Sequence, residues 1–174
     1  MGAEIDYEGF IKELDIRLKG YFESFGDNIK CKRGCSDCCE RGDYPLSDVE
    51  LAYLMQGFTE LDIHRKAEVK ENIKNMVKGG VCPFLINKEC SVYSYRPIIC
   101  RVHGLAYFYK DKKVKIPYCV NNGKNFSDVC EGEIYTVQPI NLNLDTYHIL
   151  EGFYSEIKNM YDWFHTDNDT NSVV

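Results

Sequence analysis

Four cysteines fall within nine residues, at Cys31, Cys35, Cys38 and Cys39, and five more follow at Cys82, Cys90, Cys100, Cys119 and Cys130. Thiolates are the softest ligands a protein offers, so cysteines clustered this tightly point first to zinc or to iron–sulfur chemistry. Burial as small hydrophobes would suit an isolated residue such as Cys130. It does not suit the first four, whose neighbours Lys32, Arg33, Ser36 and Asp37 are not core residues. A disulfide between adjacent Cys38 and Cys39 would be strained. The pattern predicts metal binding.

Adjacency carries further information. Successive side chains diverge, so Cys38 and Cys39 are awkward partners on a single tetrahedral ion. Either they serve two metals, or one of them stands outside the ligand shell and supports it. Eight or nine thiols also exceed the four that one zinc ion or one [4Fe–4S] cluster consumes, which favours more than one centre. Zinc knuckles and ribbons use two short Cys-x-x-Cys loops, and only Cys35 and Cys38 have that spacing here. The spacing of Cys31, Cys35 and Cys38 is also the three-ligand pattern of radical-SAM enzymes, but those need a large β/α barrel that 174 largely helical residues cannot build. Iron is favoured over zinc by the number of thiols. Lys32, Arg33, Arg96 and Arg101 flank the cysteines, and their charge would favour thiolate and offset an anionic metal–thiolate centre. The ligands are expected to come from both halves of the pattern, with Cys35, Cys90 and Cys100 sharing a metal.

The frame around these residues follows from periodicity and from helix-start and helix-stop signals. Ile11, Leu14, Leu18, Tyr21 and Phe25 step by three or four, predicting a helix from about Tyr7 to Phe25. Ser47 and Glu50 form a capping box, so a second helix should start near Asp48. A third is expected from about Asp62 to Lys78, with Val69, Ile73 and Val77 inward and Gly79-Gly80 as its stop. Pro83, Pro97 and the cysteines break residues 81–102 into loops. Residues 105–109 and 114–118 flank Lys110-Asp111-Lys112-Lys113 and read as a β-hairpin. Tyr147, Leu150, Tyr154, Ile157, Tyr161 and Phe164 keep a helical rhythm, predicting a last helix with an aromatic core stripe. The expected architecture is mainly α, a single helical domain around a cysteine-rich loop core with one small β-hairpin. That domain spans residues 1–165, and the polar residues 166–174 are expected to form a disordered tail.

Composition narrows the function. Nine cysteines in 174 residues lie below the ~8–10% of a disulfide scaffold. The first ten residues carry Glu4, Asp6 and Glu8 where a secretory signal would begin its apolar stretch, Asp6 also breaks the myristoylation pattern, and no run reaches the ~20 apolar residues of a membrane span. A cytoplasmic protein is expected, in a compartment where clustered thiols mean metal or redox chemistry. A net charge of −6 with scattered cations argues against a nucleic-acid partner, and no membrane partner is expected. Metal ions are the expected partners; no protein partner can be read.

The motifs Cys31-x3-Cys35-x2-Cys38-Cys39, Cys82-Pro83-Phe84-Leu85, Cys90-Ser91-Val92-Tyr93 and Arg96-Pro97-Ile98-Ile99-Cys100-Arg101 occur in that order. Together they resemble the YkgJ-like cysteine-cluster family, described as a zinc- or iron-chelating domain. The resemblance covers about residues 30–122. The segment Cys100-Arg101-Val102-His103-Gly104 and the later Cys119-Val120-Asn121-Asn122 are similar to one branch of that family. The resemblance implies a metal-binding set of Cys31, Cys35, Cys38, Cys39, Cys82, Cys90, Cys100 and Cys119, leaving Cys130 without a counterpart. His103 is either a satisfied structural histidine or a ligand or proton carrier beside the metal. His64, His148 and His165 receive no role. Three functions fit: a metal-binding module, an iron- or iron–sulfur-dependent enzyme such as a protein-modifying one, and a zinc-stapled interaction domain. The enzyme reading rests on the resemblance alone, since no Gly-rich cofactor loop or Ser-His-Asp pattern accompanies it. A purely structural zinc domain would not need eight thiols.

Overall fold

The computed structural model describes residues 6–24, 26, 29, 34–105, 107–108, 114–115, 118–119, 123–124 and 155–165. It is mainly helical, with short antiparallel two-stranded ladders. The chain divides into two compact units, Met1–Arg33 with Arg101–Phe153, and Gly34–Cys100 with Tyr154–Val174. Among the described residues, no helix is long and apolar enough to cross a membrane.

In the first unit, helix α1 covers Tyr7–Ser24. Its start is set by the Asp6 carboxylate, which accepts the Gly9 N–H at 2.7 Å and so satisfies one of the orphan donors of a helix N-terminus. Ile11, Leu14 and Leu18 form its buried face, as their spacing predicts. Phe25, the expected end of that stripe, lies outside the described residues. Residues 101–105 add buried Val102 and Leu105, and Arg101, whose buried guanidinium pairs with Asp15 of α1.

The expected hairpin is present as β4 (Tyr107–Phe108) and β5 (Val114–Lys115), with Tyr107 opposite Lys115 and Phe108 opposite Val114. A second ladder follows at once, pairing β6 (Tyr118–Cys119) with β7 (Gly123–Lys124).

The second unit is built on strand β1 (Pro45–Ser47), helix α2 (Asp48–Glu60) and helix α3 (Ile63–Lys74). The capping box at the start of α2 is present in full: the Ser47 hydroxyl accepts the Glu50 N–H, and the Glu50 carboxylate accepts the Ser47 N–H at 2.8 Å. Helix α3 begins at the Asp62 cap but stops earlier than its spacing predicts. The Asn75 side chain donates to the Glu71 carbonyl, at 2.9 Å, and to the Glu71 carboxylate, ending the helix a turn before the glycines. Val77 is therefore exposed rather than inward, and Met76 takes the buried position.

The C-terminal rhythm misleads in the same way. Residues Ile157–Asn159 form strand β8, antiparallel to β1, and helix α5 spans only Met160–Phe164. A backbone partner in β1 outweighs the local helical spacing, and Asp48 anchors the approach by accepting from the Ser155 backbone and hydroxyl. Ile157 ends up half exposed. The earlier part of the predicted helix, 147–154, lies outside the described residues, as does the expected tail 166–174. Leu46, Leu51, Leu54, Phe58, Val69, Ile73, Met76, Phe84, Val92 and Met160 form one core, with Tyr161, Trp163 and Phe164 packed on it. Full burial of a side chain such as Phe84 contributes roughly 1.5–3 kcal/mol. This core is the platform on which the cysteine loops rest.

Candidate metal centre

Three loops of the second unit carry Cys35, Cys38, Cys39, Cys82, Cys90 and Cys100. The first turns at Gly34, whose φ of +87° suits glycine, and continues through Cys35 into a 3-10 turn at Cys39–Arg41. Ser36 organises that turn: its carbonyl accepts the Cys39 N–H at 2.8 Å and the Glu40 N–H at 3.1 Å. The Tyr44 hydroxyl donates to the Cys38 carbonyl at 3.0 Å. Asp43 then clamps the loop to two distant points, accepting the N–H groups of Gly79 and Tyr161, both at 2.8 Å.

The second loop carries Cys82 and Cys90. The Cys82 N–H donates to the Cys39 carbonyl at 2.8 Å, a direct backbone bridge between the two halves of the cysteine pattern. Gly42 makes that approach possible, because a Cβ there would lie 2.4 Å from the Cys82 Cβ. Cys90 is delivered by a tight hairpin of β2 (Leu85–Ile86) and β3 (Glu89–Cys90), in register opposite Leu85. Asn87 and Lys88, both with positive φ, form its two-residue turn, the type whose twist matches paired strands.

The third loop carries Arg96 and Cys100. Arg96 lies 3.5 Å over the Tyr93 ring and donates from Nε to the Tyr93 carbonyl at 2.8 Å. Pro97 leads into helix α4 (Ile98–Val102), in which the Cys100 N–H donates to the Pro97 carbonyl at 3.1 Å. The Ile98 N–H donates to the buried Glu50 carboxylate at 2.9 Å.

The thiols bear on one another electrostatically. Cys38 and Cys39 share a hydrogen bond with sulfurs 4.0 Å apart. That bond pulls the Cys38 thiol down to about 7, assisted by backbone N–H groups and Arg96, and pushes the Cys39 thiol up. The pair therefore gives up one proton readily and holds the second. Burial pushes Cys82 up to about 12, with the charges of Cys90 and Cys38 adding to it. Burial raises Cys90 as well, and raises Cys100 well above the usual thiol value, each also opposed by neighbouring thiolates. The Tyr44 hydroxyl is pushed up by burial and then by Cys38, Cys100, Cys39 and Cys82. Cys39, Cys82, Cys90 and Cys100 thus each feel the charge of Cys38.

Cys38, Cys39, Cys82, Cys90 and Cys100 are free thiols, and these and Cys35 are all partly buried. Among the described residues, no three His, Cys, Asp or Glu side chains already converge tightly enough to hold an ion. The Cys82–Cys39 backbone bridge joins the loop of Cys35, Cys38 and Cys39 to that of Cys82 and Cys90, and the charges of Cys90 and Cys100 bear on the same thiols. Cys119 lies on β6 of the other unit, opposite Gly123. Cys31 and Cys130 lie outside the described residues, as do Lys32 and Arg33. His103, just past α4, is partly buried, and burial lowers its pKa and so favours neutral imidazole.

The donor set fits a soft or borderline metal. Ionisation of Cys39, Cys82, Cys90 and Cys100 is opposed by burial and by the charge of Cys38, and a bound cation would remove that opposition. The buried Ser91 hydroxyl, next in sequence to Cys90, has no hydrogen-bond partner among the described residues.

Residues 30–131 match the family model CxxCxxCC, described as "Putative zinc- or iron-chelating domain". The chain belongs to this family. The match spans more than half of the chain and agrees with the resemblance drawn from the four cysteine motifs. No curated protein matches this member of the CxxCxxCC family, and no solved structure does. Sequence reasoning did not single out Gly42, Asp43 or Tyr44, and it read Glu50 only as a helix cap. Each acts through a partner distant in sequence or through a main-chain atom, which spacing does not reveal.

Proposed function

We propose that this chain is a metal-binding protein whose centre is held by Cys31, Cys35, Cys38, Cys39, Cys82, Cys90, Cys100 and Cys119. Iron in an iron–sulfur cluster is its preferred occupant, ahead of zinc. The observation that carries the reading is the backbone bridge from the Cys82 N–H to the Cys39 carbonyl, which joins the first two cysteine loops next to the Cys38 and Cys39 sulfurs, 4.0 Å apart; the charges of Cys90 and Cys100 bear on the same thiols. Eight thiols exceed the four that one zinc ion or one [4Fe–4S] cluster consumes, so the set suits more than one centre, and iron is placed ahead of zinc because so many thiols converge.

When bound, the metal supplies the positive charge that lets buried thiolates coexist. The chain does the rest. Arg96, held against Tyr93, adds a fixed cation that helps hold Cys38 down and partly offsets the burial that raises Cys90 and Cys100. Tyr44 pins the Cys38 carbonyl, and protonated Cys82, Cys90 and Cys100 release protons as metal enters. So many free thiols suit a reducing compartment, which we take to be the cytosol.

Elemental analysis and a visible spectrum of anaerobically purified protein test the proposal. Iron with acid-labile sulfide and a brown colour is the expected result. Zinc without colour would overturn the choice of iron, and folded protein free of both would overturn the metal reading.

A further inference from the structure

Glu50 is an acidic residue only 3% exposed, and its carboxylate receives three donors. One oxygen accepts the Ser47 N–H at 2.8 Å and the Ser47 hydroxyl at 2.9 Å. The other accepts the Ile98 N–H at 2.9 Å, across 48 residues of chain. A cap for α2 needs only the first oxygen. The second is committed to the opening residue of the turn that carries Cys100.

Ile98 has no exposed surface, so its N–H has no access to water. As the first residue of α4 it also lacks a partner within its own helix. Glu50 is what satisfies it. The base of this hook is firm, because Leu51 and Leu54 of α2 are buried in the core. Two residues beyond Ile98 stands Cys100, whose own N–H closes the turn onto Pro97.

We propose that Glu50 is a positioning residue of the metal centre: through the Ile98 N–H it fixes the turn that presents Cys100. The inference rests on the reading of Cys100 as a ligand. It predicts that the turn is in place before metal arrives, and that loosening it weakens metal retention more than an equal loss of helix capping would. Residues that orient ligands typically change metal affinity by about 10–100-fold when altered.

The test uses Co2+ as a spectroscopic probe, loaded anaerobically and withdrawn by an excess of EDTA while the thiolate-to-cobalt band is followed. Glu50→Gln keeps the size of the side chain but replaces one acceptor oxygen with a donor. Ser47→Ala removes capping and leaves the Glu50–Ile98 bond in place. The expected result is Co2+ loss about tenfold or more faster from Glu50→Gln, with Ser47→Ala within about twofold of wild type. Equal rates in the two variants, or a wild-type rate in Glu50→Gln, overturn the proposal.

Hydrogen exchange on metal-free wild-type protein gives a second readout that needs no variant. A protected Ile98 amide supports the hook, and exchange as fast as at exposed loop amides overturns it. Wild-type protein that takes up no Co2+ overturns the metal reading itself, an outcome visible before any variant is made.

Discussion

A methyl group added at Gly42 would meet the Cys82 Cβ at 2.4 Å, and the Cys39 O and Cys82 N at 2.9 Å each. Those last two atoms are the partners of the backbone bridge between the first and second cysteine loops. Gly42 has φ −88° and ψ 19°, a conformation open to alanine, so the obstacle is contact alone. Two of the three colliding atoms are main chain and cannot rotate away. Overpacking of this kind costs about 1–3 kcal/mol. Loss of the Cys82–Cys39 bond adds about 1 kcal/mol, against about 0.4–1 kcal/mol recovered from a stiffer unfolded chain. Gly42→Ala should therefore destabilise by about 1–3.5 kcal/mol. At this chain length each kcal/mol moves the melting temperature by about 2–4 °C, giving a drop of about 2–14 °C.

Thermal melts of metal-loaded protein by circular dichroism measure it, with metal content per folded protein recorded alongside. Gly20→Ala is the control. Gly20 lies in α1 with nothing within 4 Å of its would-be Cβ, so the same substitution should stabilise by about 0.5–1 kcal/mol. A Gly42→Ala protein that melts with wild type and keeps its full metal complement would refute the reasoning.

Gly57→Ala in α2 should also destabilise, by about 1–3 kcal/mol despite alanine's better helix propensity, because the new Cβ would lie 2.5 Å from the Tyr95 ring; urea unfolding measures it, and a gain in stability would contradict it. Complete metal removal should lower the melting temperature sharply, since structural metal binding contributes on the order of 10 kcal/mol, comparable with a whole domain's stability; an unchanged melt of fully metal-free protein would sink the idea. Metal-free protein should also weaken as pH rises. Burial holds Cys82 up to about 12 and raises Cys90 and Cys100 in the fold. Unfolded thiols ionise near ~8.5, so this contribution is intact below that pH and is lost as pH climbs towards the raised folded values. Urea midpoints of metal-free protein at about pH 7.5 and pH 10 should show the decline, and a flat profile would argue against buried thiols.

The parts legible in sequence are those with local causes. The α1 stripe, the Ser47–Glu50 box, the hairpin at Tyr107 and the cysteine motifs all announce themselves within a few residues. The misreadings share a different cause. Val77 keeps helical step with Val69 and Ile73, but Asn75 turns its side chain back on Glu71 and ends the helix first. Ile157 and Tyr161 keep step too, yet β1 claims Ile157 for a strand from more than a hundred residues away. The site divides along the same line. Cysteine type and spacing expose the donors, whereas Gly42, Asp43 and Tyr44 acquire their roles only when the loops meet. Glu50 shows both halves: its cap is readable as Ser-x-x-Glu, and its grip on Ile98 is not.

The central claim, that the motif cysteines bind metal as a set, is tested most directly by counting metal per folded protein in Cys100→Ser and Cys130→Ser. Cys100 feels the charges of Cys82, Cys38 and Cys90 and lies on the turn held by Pro97 and Glu50. Cys130 has no cysteine at ligand spacing on either side. The account predicts that Cys100→Ser loses a large share of its metal while Cys130→Ser keeps nearly all of it. Equal metal content in both variants would contradict it.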